Sequence, residues 1–502
     1  MPAPTIDTDL GHVPVAIVGS GFAGLAMAVR LEQQGTEYLI LERAADLGGT
    51  WRDNSYPGCK CDVPSHLYSF SFAPNPDWSH TYSPQPEIQA YLRRTAESFG
   101  IVPRIRFGHE VCDMRWDEHD RRWEIETIRG RCTADVLVLG QGPLSEPSIP
   151  AVRGIDDFGG TVFHSARWDH GHDLHGERVA VIGTGASSIQ FVPQIQPDVA
   201  SLTLFQRTPP WVLPHSDRRV TKAERTVYRK VPAVQRAVRA GVYWTRELAA
   251  YGMTKNPKFM RPIERMARRH LDKKVPDPEL RAKLTPDFSP GCKRLLVSND
   301  YYPALSADNV EVVTDGIDEI TPTGIRTIDG AEHEVDTIIF GTGFHVTDNP
   351  IAQKVQGRDG RTLAEAWGEK GMRAYNGTTV AGFPNMFMLA GPNTGIGHTS
   401  LVVMIEAQVR YVLDCMRTMR QRRLASVDVR EDALESFNED VHRRMGKTVW
   451  STGGCASWYL DDHGRNTTLW PDFTWRFVQR VRRFDPESYE LTPVTEKEPV
   501  HA

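Results

Sequence analysis

The feature of this sequence that most constrains its fold is a glycine turn, set between a strand pattern and a helical pattern, that occurs twice. Pro14–Val18 predicts a buried strand, Gly19–Gly24 form a G-x-G-x-x-G turn, and residues 25–34 have helical spacing. In such a turn the backbone approaches a pyrophosphate closely, and amides at the helix N-terminus meet its charge. The strand at residues 38–41 is followed by an acid where dinucleotide folds bind the ribose. The residues predicted to hold a first dinucleotide are Gly19, Gly21, Gly24 and Glu42.

The second turn follows the predicted strand Arg178–Ile182 and has Ser188 where a third glycine is usual. Serine is small enough for close packing of the helix. The next strand, Ser201–Phe205, is followed by a cation instead of an acid. An acid there accepts from the 2′-hydroxyl of NAD, whereas a cation pairs with the 2′-phosphate of NADP. The second loop therefore predicts NADPH, bound through Gly183, Gly185, Ser187, Arg207 and Thr208; a surface arginine is the alternative for Arg207.

Two further strand-and-glycine patterns indicate how these modules alternate along the chain. Residues 135–139 lead into Gly140-Gln141-Gly142, and residues 336–340 lead into Gly341-Thr342-Gly343. This layout is typical of flavin–nicotinamide enzymes, in which the second Rossmann unit is inserted into the first. We expect an α/β fold with two Rossmann-type dinucleotide-binding domains, of the flavin monooxygenase or disulfide reductase type, and a helical insertion. The predicted boundaries are 1–150 and 376–502 for the FAD domain, 151–215 and 291–375 for the NADPH domain, and 216–290 for the insertion.

Charge, hydropathy and cysteine content exclude several classes of function. The net charge of -5, from 59 Lys and Arg against 64 Asp and Glu, gives no bulk attraction to nucleic acid. No apolar run is long enough for stable membrane insertion, and residues 1–12 lack the basic lead of a signal peptide. The 7 cysteines favour a reduced, cytoplasmic protein over a disulfide scaffold. Cys59 and Cys61 have C-x-C spacing, not the C-x-x-C of dithiol reductases.

Residues 216–290 differ from the rest of the chain in their dense Arg and Lys and their helical spacing. We expect a solvated helical face that covers the NADPH module, and a patch for a membrane surface or an acidic partner is the alternative. The basic residues that crowd the start of this segment are Arg218, Arg219, Lys222, Arg225, Arg229, Lys230, Arg236 and Arg239.

Two segments go beyond generic nucleotide binding. The flavin-side fingerprint of Baeyer–Villiger monooxygenases has all its fixed positions filled, by Gly48-Gly49-Thr50-Trp51, Tyr56-Pro57-Gly58 and Asp62. The other fingerprint of that family, F-x-G-x-x-x-H-x-x-x-W-(P/D), is filled by Phe158, Gly160, His164, Trp168 and Asp169. The ending Trp168-Asp169 favours this branch over relatives that oxygenate nitrogen or sulfur. The resemblance covers nearly the whole chain.

The resemblance implies an FAD-containing enzyme that uses NADPH and O2 to convert ketones to esters or lactones through a flavin peroxide, with sulfide oxidation as a side activity. An anionic peroxide requires a fixed cation beside the flavin. Residues 291–295 look like the family segment whose arginine is catalytic and whose preceding lysine binds the 2′-phosphate. This implies those roles for Arg294 and Lys293, with Asp62 orienting Arg294.

Further cofactor contacts follow from the same resemblance. Trp458 resembles the family tryptophan that touches the nicotinamide ribose, although its flanking residues differ from those of the best-known members. Asn393 is expected near the flavin, and the other predicted cofactor contacts are Thr50, Trp51, Tyr68 and Gln141. No metal is predicted, because the spacing of the histidines at 164, 170, 172 and 175 fits no common zinc pattern.

Three alternatives stay open at this point. A flavin monooxygenase that hydroxylates nitrogen or sulfur shares most of these motifs. An NADPH-dependent flavin disulfide reductase shares the paired modules and needs a redox-active cysteine, for which Cys59 and Cys61 are the candidates. A flavoprotein electron carrier would oxidise NADPH without forming an oxygenated product. Neither the ketone nor the oligomeric state follows from the sequence.

Overall fold

A computed structural model of the chain describes residues 8–494, and its first segment begins with the strand that precedes the first glycine loop. Its last four residues, 15–18, are buried because this part of the strand lies between two parallel neighbours. In chain order the segment contains β1 (Thr8–Val18), α1 (Phe22–Gln33), β2 (Leu39–Glu42), α2 (Thr50–Asp53), α3 (Gln85–Ser98), β3 (Ile105–Phe107), β4 (Val111–Asp117), β5 (Arg122–Thr127) and β6 (Gly130–Leu139).

The second segment carries the second glycine loop and then becomes helical, as the composition of residues 216–290 predicts. The first group of elements is β7 (Thr161–His164), β8 (Arg178–Ile182), α4 (Ser188–Ile195), β9 (Ser201–Phe205) and β10 (Val212–Leu213). The helices of the insertion are α5 (Lys222–Lys230), α6 (Pro232–Thr254), α7 (Arg261–Lys274) and α8 (Pro278–Lys283). No helix within residues 8–494 is both long enough and apolar enough to cross a membrane.

After the insertion the chain completes the second module. The elements there are β11 (Leu296–Val297), α9 (Tyr301–Leu305), β12 (Val310–Val313), β13 (Ile317–Thr321), β14 (Gly324–Thr327), β15 (Glu332–Glu334) and β16 (Thr337–Phe340). The strands β13, β14 and β15 form a small antiparallel sheet of their own.

The last segment returns to the first module. Its elements are β17 (Val355–Gln356), α10 (Leu363–Trp367), β18 (Met386–Met388), α11 (Leu401–Arg422), β19 (Leu424–Val429), α12 (Glu431–Met445), α13 (Val449–Thr452), α14 (Thr474–Arg480) and β20 (Tyr489–Pro493). The predicted polar tail, Pro493–Ala502, lies almost entirely outside the described residues.

The strands assemble into two main sheets, one for each glycine loop. The first sheet has the order β17-β4-β5-β6-β1-β2-β3, with β18 also paired to β6. The second has the order β12-β9-β8-β16-β7, and all its pairings are parallel. The predicted α/β fold with two nucleotide-binding modules is confirmed. Because β17 pairs with β4, the chain reaches the first sheet before the boundary predicted at residue 376.

Candidate active site

The first glycine loop exposes backbone at the start of α1. Gly19 has φ of +93°, in the region that favours glycine. A Cβ on Gly24 would lie 1.9 Å from the carbonyl oxygen of Gly19, so the helix packs on the loop only because Gly24 lacks a side chain. Gly21 faces Gly49, whose Cα would lie 3.7 Å from an added Cβ. The cradle that these glycines leave fits the pyrophosphate of FAD.

Glu42 lies at the end of β2, where the acid for the ribose is predicted. It is buried, and its Oε2 accepts from the backbone N–H of Ser20 at 2.9 Å and from the Ser20 hydroxyl at 2.7 Å. Its Oε1 accepts from Arg52 at 2.8 Å and from the backbone N–H of Ala44 at 3.0 Å. Glu42 lines the same cavity as Gly19 and Gly21. Contacts with its own module thus hold this carboxylate at the predicted site.

The flavin-side fingerprint begins with the short helix α2. Thr50 lines the cavity next to the glycine loop. Trp51 is buried, and its indole N–H donates to the Tyr68 hydroxyl at 2.9 Å. The hydrogen bond fixes the two aromatic side chains relative to each other, and direct contacts of Thr50, Trp51 and Tyr68 with FAD stay predictions.

Gln141 and Asn393 each present a buried side-chain oxygen that has no partner within residues 8–494. Gln141 lines both cavities along the predicted FAD site. The Asn393 amide N–H group donates to the carbonyls of Asn466 and Leu469, each at 3.0 Å, which fixes that neighbouring segment. A buried oxygen without a partner is costly, so both positions fit a donor on a bound cofactor.

In the second glycine loop, the close contact between helix and strand involves Gly183, Gly341 and Ser188. Gly183 has φ of +111° and approaches the carbonyl oxygen of Gly341 so closely that a Cβ would lie 2.5 Å from it. Ser188 is fully buried, and a Cβ on Gly341 would lie 2.0 Å from the Ser188 Oγ. The helix therefore carries Ser188 in place of a glycine, and Gly341, at the end of another strand, leaves room for its side chain. Gly185 stays open, since the nearest atom would lie 3.8 Å from an added Cβ, and Ser187 precedes α4 as its N-cap.

Two cations approach each other at the predicted 2′-phosphate site. Burial lowers the pKa of Lys293, and the positive charge of nearby Arg207 lowers it further. Arg207 is exposed, and the backbone carbonyl of the next residue, Thr208, accepts from the Thr184 hydroxyl at 3.1 Å. Two neighbouring cations repel each other unless an anion lies between them. The pair fits a phosphate.

Arg294 and Asp62 come together from positions far apart in the chain. Arg294 Nε donates to Asp62 Oδ2 at 2.6 Å, and its Nη2 donates to Oδ1 at 2.7 Å. The side chains keep 29% and 22% exposure, so the pair is open on one side. Burial opposes ionisation of Asp62, but the guanidinium outweighs it and holds the pKa of the carboxyl below its usual value. The Asp62 charge in turn raises the pKa of Arg294. Both groups are permanently charged.

Tyr459 is a site residue that the sequence did not single out. It is fully buried beside the same pair: burial raises the pKa of Tyr459 to about 12, and the charge of Arg294 opposes the rise. Its ring centroid lies 4.3 Å from that of Trp458, which is 44% exposed. The only sequence signal for Tyr459 was its position next to the predicted Trp458.

The expectation of fully reduced cysteines is wrong for one pair. Cys292 and Cys455 form a disulfide, with Cα atoms 6.1 Å apart and a sequence separation of 163. That separation hides the pairing from sequence, because only the tertiary fold brings the two residues together. Cys292 lies two residues before Arg294, so the link ties the segment that carries Trp458 and Tyr459 to the segment that carries the candidate catalytic arginine.

The two fingerprints meet on the helix of the second glycine loop. Trp168 ends the second fingerprint, and its ring centroid lies 5.1 Å from that of Phe163 and 5.3 Å from that of Phe191 in α4. From the first fingerprint, the Tyr56 hydroxyl donates to Gln190 Oε1 at 3.0 Å, also in α4. Residues of both fingerprints therefore contact the same helix, α4.

The histidines of the second fingerprint are dispersed. His164 is buried, its Nδ1 accepts from the backbone N–H of Ala166 at 3.1 Å, and burial lowers its pKa to about 4. His170 contacts Ser55 instead, at 2.8 Å. Within residues 8–494 there is no group of three or more His, Cys, Asp and Glu side chains placed to hold a metal.

Comparisons with known proteins agree with this geometry. Residues 16–231 match the family model described as pyridine nucleotide-disulphide oxidoreductase. A Baeyer-Villiger monooxygenase of Streptomyces coelicolor is 54% identical over 96% of this chain and 93% of its own length. A second protein of that name, from Pseudomonas aeruginosa, is 51% identical over 96% of this chain and 92% of its own length.

A solved structure has the same fold over nearly its whole length. The structure of OTEMO in complex with FAD and NADP matches this chain with a TM-score of 0.85 at 27% identity, covering 96% of this chain and 99% of that one.

Proposed function

We propose a reaction for this chain from the family to which it belongs, the Baeyer–Villiger monooxygenases: it uses NADPH, O2 and FAD to convert a ketone into an ester or a lactone. The observation that carries the proposal is the bidentate pair of Arg294 and Asp62. The pair joins the flavin-side fingerprint, which contains Asp62, to the strand segment next to Lys293 on the NADPH side.

FAD, when bound and reduced by NADPH, would supply the activation of O2, one atom of which enters the ketone while the other leaves as water. The residues that would hold its pyrophosphate and ribose are Gly19, Gly21, Gly24 and Glu42, which line one cavity or support it. Gln141 and Asn393 would accept from the cofactor through their unpartnered oxygens. The roles of these residues rest on the cradle that the glycines form and on the two orphaned oxygens.

Arg294 contributes a charge that does not titrate at working pH. A guanidinium fixed in advance stabilises negative charge that develops on the reacting oxygen atoms, without the cost of reorganising solvent. Asp62 holds the planar fork in one orientation through both of its oxygens. Because burial keeps Tyr459 protonated, its hydroxyl is available as a further donor next to Arg294.

NADPH is selected over NADH by charge. Arg207 and Lys293 supply two cations for the 2′-phosphate, which NADH lacks. The repulsion between the two cations is relieved when the phosphate binds, and this relief adds to the selectivity for NADPH.

We infer that the ketone is apolar. The side chains that pack around the Arg294 segment form a buried apolar cluster that includes Trp211, Met253, Phe288, Met445, Trp450 and Tyr459. A polar group on a substrate that reached this cluster would lose its hydrogen bonds to water without gaining a partner. Oxidation of sulfides is the side activity expected of the same apolar site.

The cytoplasmic location of the protein stays a prediction.

The disulfide reductase alternative is disfavoured by the state of its candidate thiols. Burial raises the pKa of Cys59 to about 12 and that of Cys61 well above its usual value. The thiolate is the reactive form in thiol–disulfide exchange, so both cysteines are held in the unreactive form.

The experiment that tests the proposal separates flavin reduction from oxygenation. We expect Arg294→Ala to keep rapid bleaching of the flavin by NADPH while ester formation falls by roughly a thousandfold. Arg326→Ala, which removes an arginine paired with carboxylates on a distant hairpin, is the matched control and is expected to oxygenate at the parent rate. The products from a panel of linear, cyclic, aromatic and steroid ketones, a sulfide and an amine are identified by mass. Ester at the parent rate from Arg294→Ala would contradict the assignment, and oxygenated amine without ester would favour the hydroxylase alternative.

A further inference from the structure

The helical insertion exposes an unusual amount of apolar side chain. Of the fifteen large hydrophobic residues that are exposed within the described chain, eight lie between residues 227 and 266. The most prominent form one continuous surface, here named the insertion face: Trp244 at 57% exposure, Leu248 at 77%, Tyr251 at 42% and Phe259 at 60%. Exposed apolar surface of this kind marks a binding site.

The insertion face is built by helical spacing. Trp244, Leu248 and Tyr251 follow one another at intervals of four and three residues on α6, so they share one side of that helix. Phe259 joins them from the following turn, because its ring centroid lies 5.0 Å from that of Tyr251. The solvated helical face expected from the sequence is therefore apolar in its centre.

No carboxylate interrupts this surface on α6. The one acidic residue of the helix, Glu247, flanks this face but is buried, and it accepts from the backbone N–H of Thr474 at 3.0 Å. Arg236 lies two turns before Trp244 on α6, Lys258 is next to Phe259, and neither has an ion-pair partner in residues 8–494. Lys255, by contrast, is tied to Asp472 at 2.9 Å.

The whole insertion carries a strong positive charge. Residues 216–290 contain 19 Lys and Arg against 8 Asp and Glu, in a chain whose net charge is -5. A second copy docked on this face would bring two strongly basic insertions together, and their repulsion opposes such a dimer. An apolar centre with a tryptophan and a rim of lysine and arginine matches the interface of an anionic bilayer, with the aromatic groups at headgroup level and the cations on the phosphates.

We propose that the insertion face is a peripheral docking site for anionic lipid bilayers. The helix lies on the membrane and does not cross it, consistent with the finding that no described helix can span one. The buried side of α6 carries Met253, which belongs to the apolar cluster around Cys292 and Tyr459. The same helix, α6, therefore contacts the bilayer with its exposed side and the apolar cluster next to the candidate active site with its buried side.

The test uses the full-length holoenzyme and sedimentation with vesicles of phosphatidylcholine, with or without phosphatidylglycerol. We expect binding that requires phosphatidylglycerol and weakens as salt is added. The double variant Trp244→Ser/Leu248→Ser is expected to weaken binding by at least about tenfold, because it removes the apolar area that the bilayer buries. Arg236→Gln/Lys258→Gln is expected to reduce both the affinity and its dependence on salt.

Ile328→Ser is the matched control for Leu248. Ile328 is 75% exposed but lies on the hairpin of the NADPH-side module, so its loss should leave vesicle binding unchanged. Circular dichroism and the amount of bound flavin verify that each variant is folded. The proposal is overturned if the parent does not sediment with anionic vesicles, or if the Trp244/Leu248 variant binds them as well as the parent does. It is also overturned if sedimentation equilibrium shows a parent dimer that this variant dissociates while vesicle binding is unchanged, since the occupant is then a second copy.

Discussion

The two glycine loops have the same β-turn-α path, yet they achieve the close approach of helix and strand by different means. In the first loop the space comes from Gly24 in the helix, which faces the carbonyl of Gly19. In the second loop the helix carries Ser188, and the space comes from Gly341 on the neighbouring strand. In the first loop both sides of the contact lack a side chain, because a Cβ on Gly140, at the end of the neighbouring strand, would lie 3.0 Å from the Gly24 backbone nitrogen, whereas in the second loop only Gly341 lacks one.

The loops also differ in how their charged groups are satisfied. Glu42 already accepts four hydrogen bonds from its own module, including two from Ser20. Lys293 instead lies within range of the positive charge of Arg207, which lowers its pKa, while the charge of Asp287 acts in the opposite direction. The charge of Glu42 is thus satisfied within the first module, as suits a site for a cofactor that stays bound. The second is relieved of repulsion by its ligand, as suits a co-substrate that enters and leaves.

The largest effect on FAD binding and stability is expected from adding a side chain at Gly24 in the first loop. Gly24→Ala places a Cβ 1.9 Å from backbone oxygen that cannot move freely. We expect loss of bound FAD and destabilisation of about 3 kcal/mol, measured by flavin absorbance and thermal unfolding. Gly185→Ala is the control, because its Cβ would lie 3.8 Å from the nearest atom, and should cost less than about 1 kcal/mol. Equal losses in both variants would show that the loops do not differ in this way.

In the second loop the glycine can be moved from position 341 on the strand to position 188 on the helix. Gly341→Ala should destabilise the chain by roughly 1–3 kcal/mol and raise the KM for NADPH, because its Cβ would lie 2.0 Å from the Ser188 Oγ. Adding Ser188→Gly returns the space to the position used by the first loop. We expect the double variant to recover most of the stability lost by Gly341→Ala, with a coupling of about 1–2 kcal/mol in denaturant titrations. Additive effects would mean that the two positions do not share one space.

The charge difference predicts a change in nucleotide preference. Arg207→Gln and Lys293→Gln should each raise the KM for NADPH by roughly tenfold to a hundredfold, because each removes a charge-assisted contact with the phosphate. The KM for NADH should change little, and Arg153→Gln, an exposed arginine paired with Asp318, serves as the control. A parallel rise for both nucleotides would place the two cations elsewhere than at the 2′-phosphate.

The smallest expected effect concerns the segment between the modules. Burial lowers the pKa of His164 to about 4, so the unfolded state binds a proton below the ordinary pKa of about 6.5 that the folded state does not. The stability of the parent should therefore fall as the pH drops from about 6.5 to 4, by roughly 1 kcal/mol at pH 5.5 from this residue. His164→Gln should make the unfolding temperature less dependent on pH in that window. An unchanged slope would show that His164 is not the group responsible.

The part of the site that lies within one β-turn-α unit was predictable. Gly19, Gly24 and Glu42 lie within about two dozen consecutive residues, and their spacing alone defines a nucleotide loop. The pairing of Arg294 with Asp62 followed only from the resemblance to a family, since no local pattern connects residues so far apart. Tyr459 had no signal of its own, because a buried tyrosine beside an arginine looks like any core tyrosine in a sequence.

The sequence by itself determined the two loops, the use of FAD and NADPH, and the family through its two fingerprints, because each is carried by neighbouring residues whose backbone conformation is local. The tertiary structure alone decided that Gly341 makes room for Ser188, that Cys292 is linked to Cys455, and that the apolar residues of α6 face outward. These are contacts, or absences of contact, between segments distant in the chain, and their geometry exists only once both modules have packed.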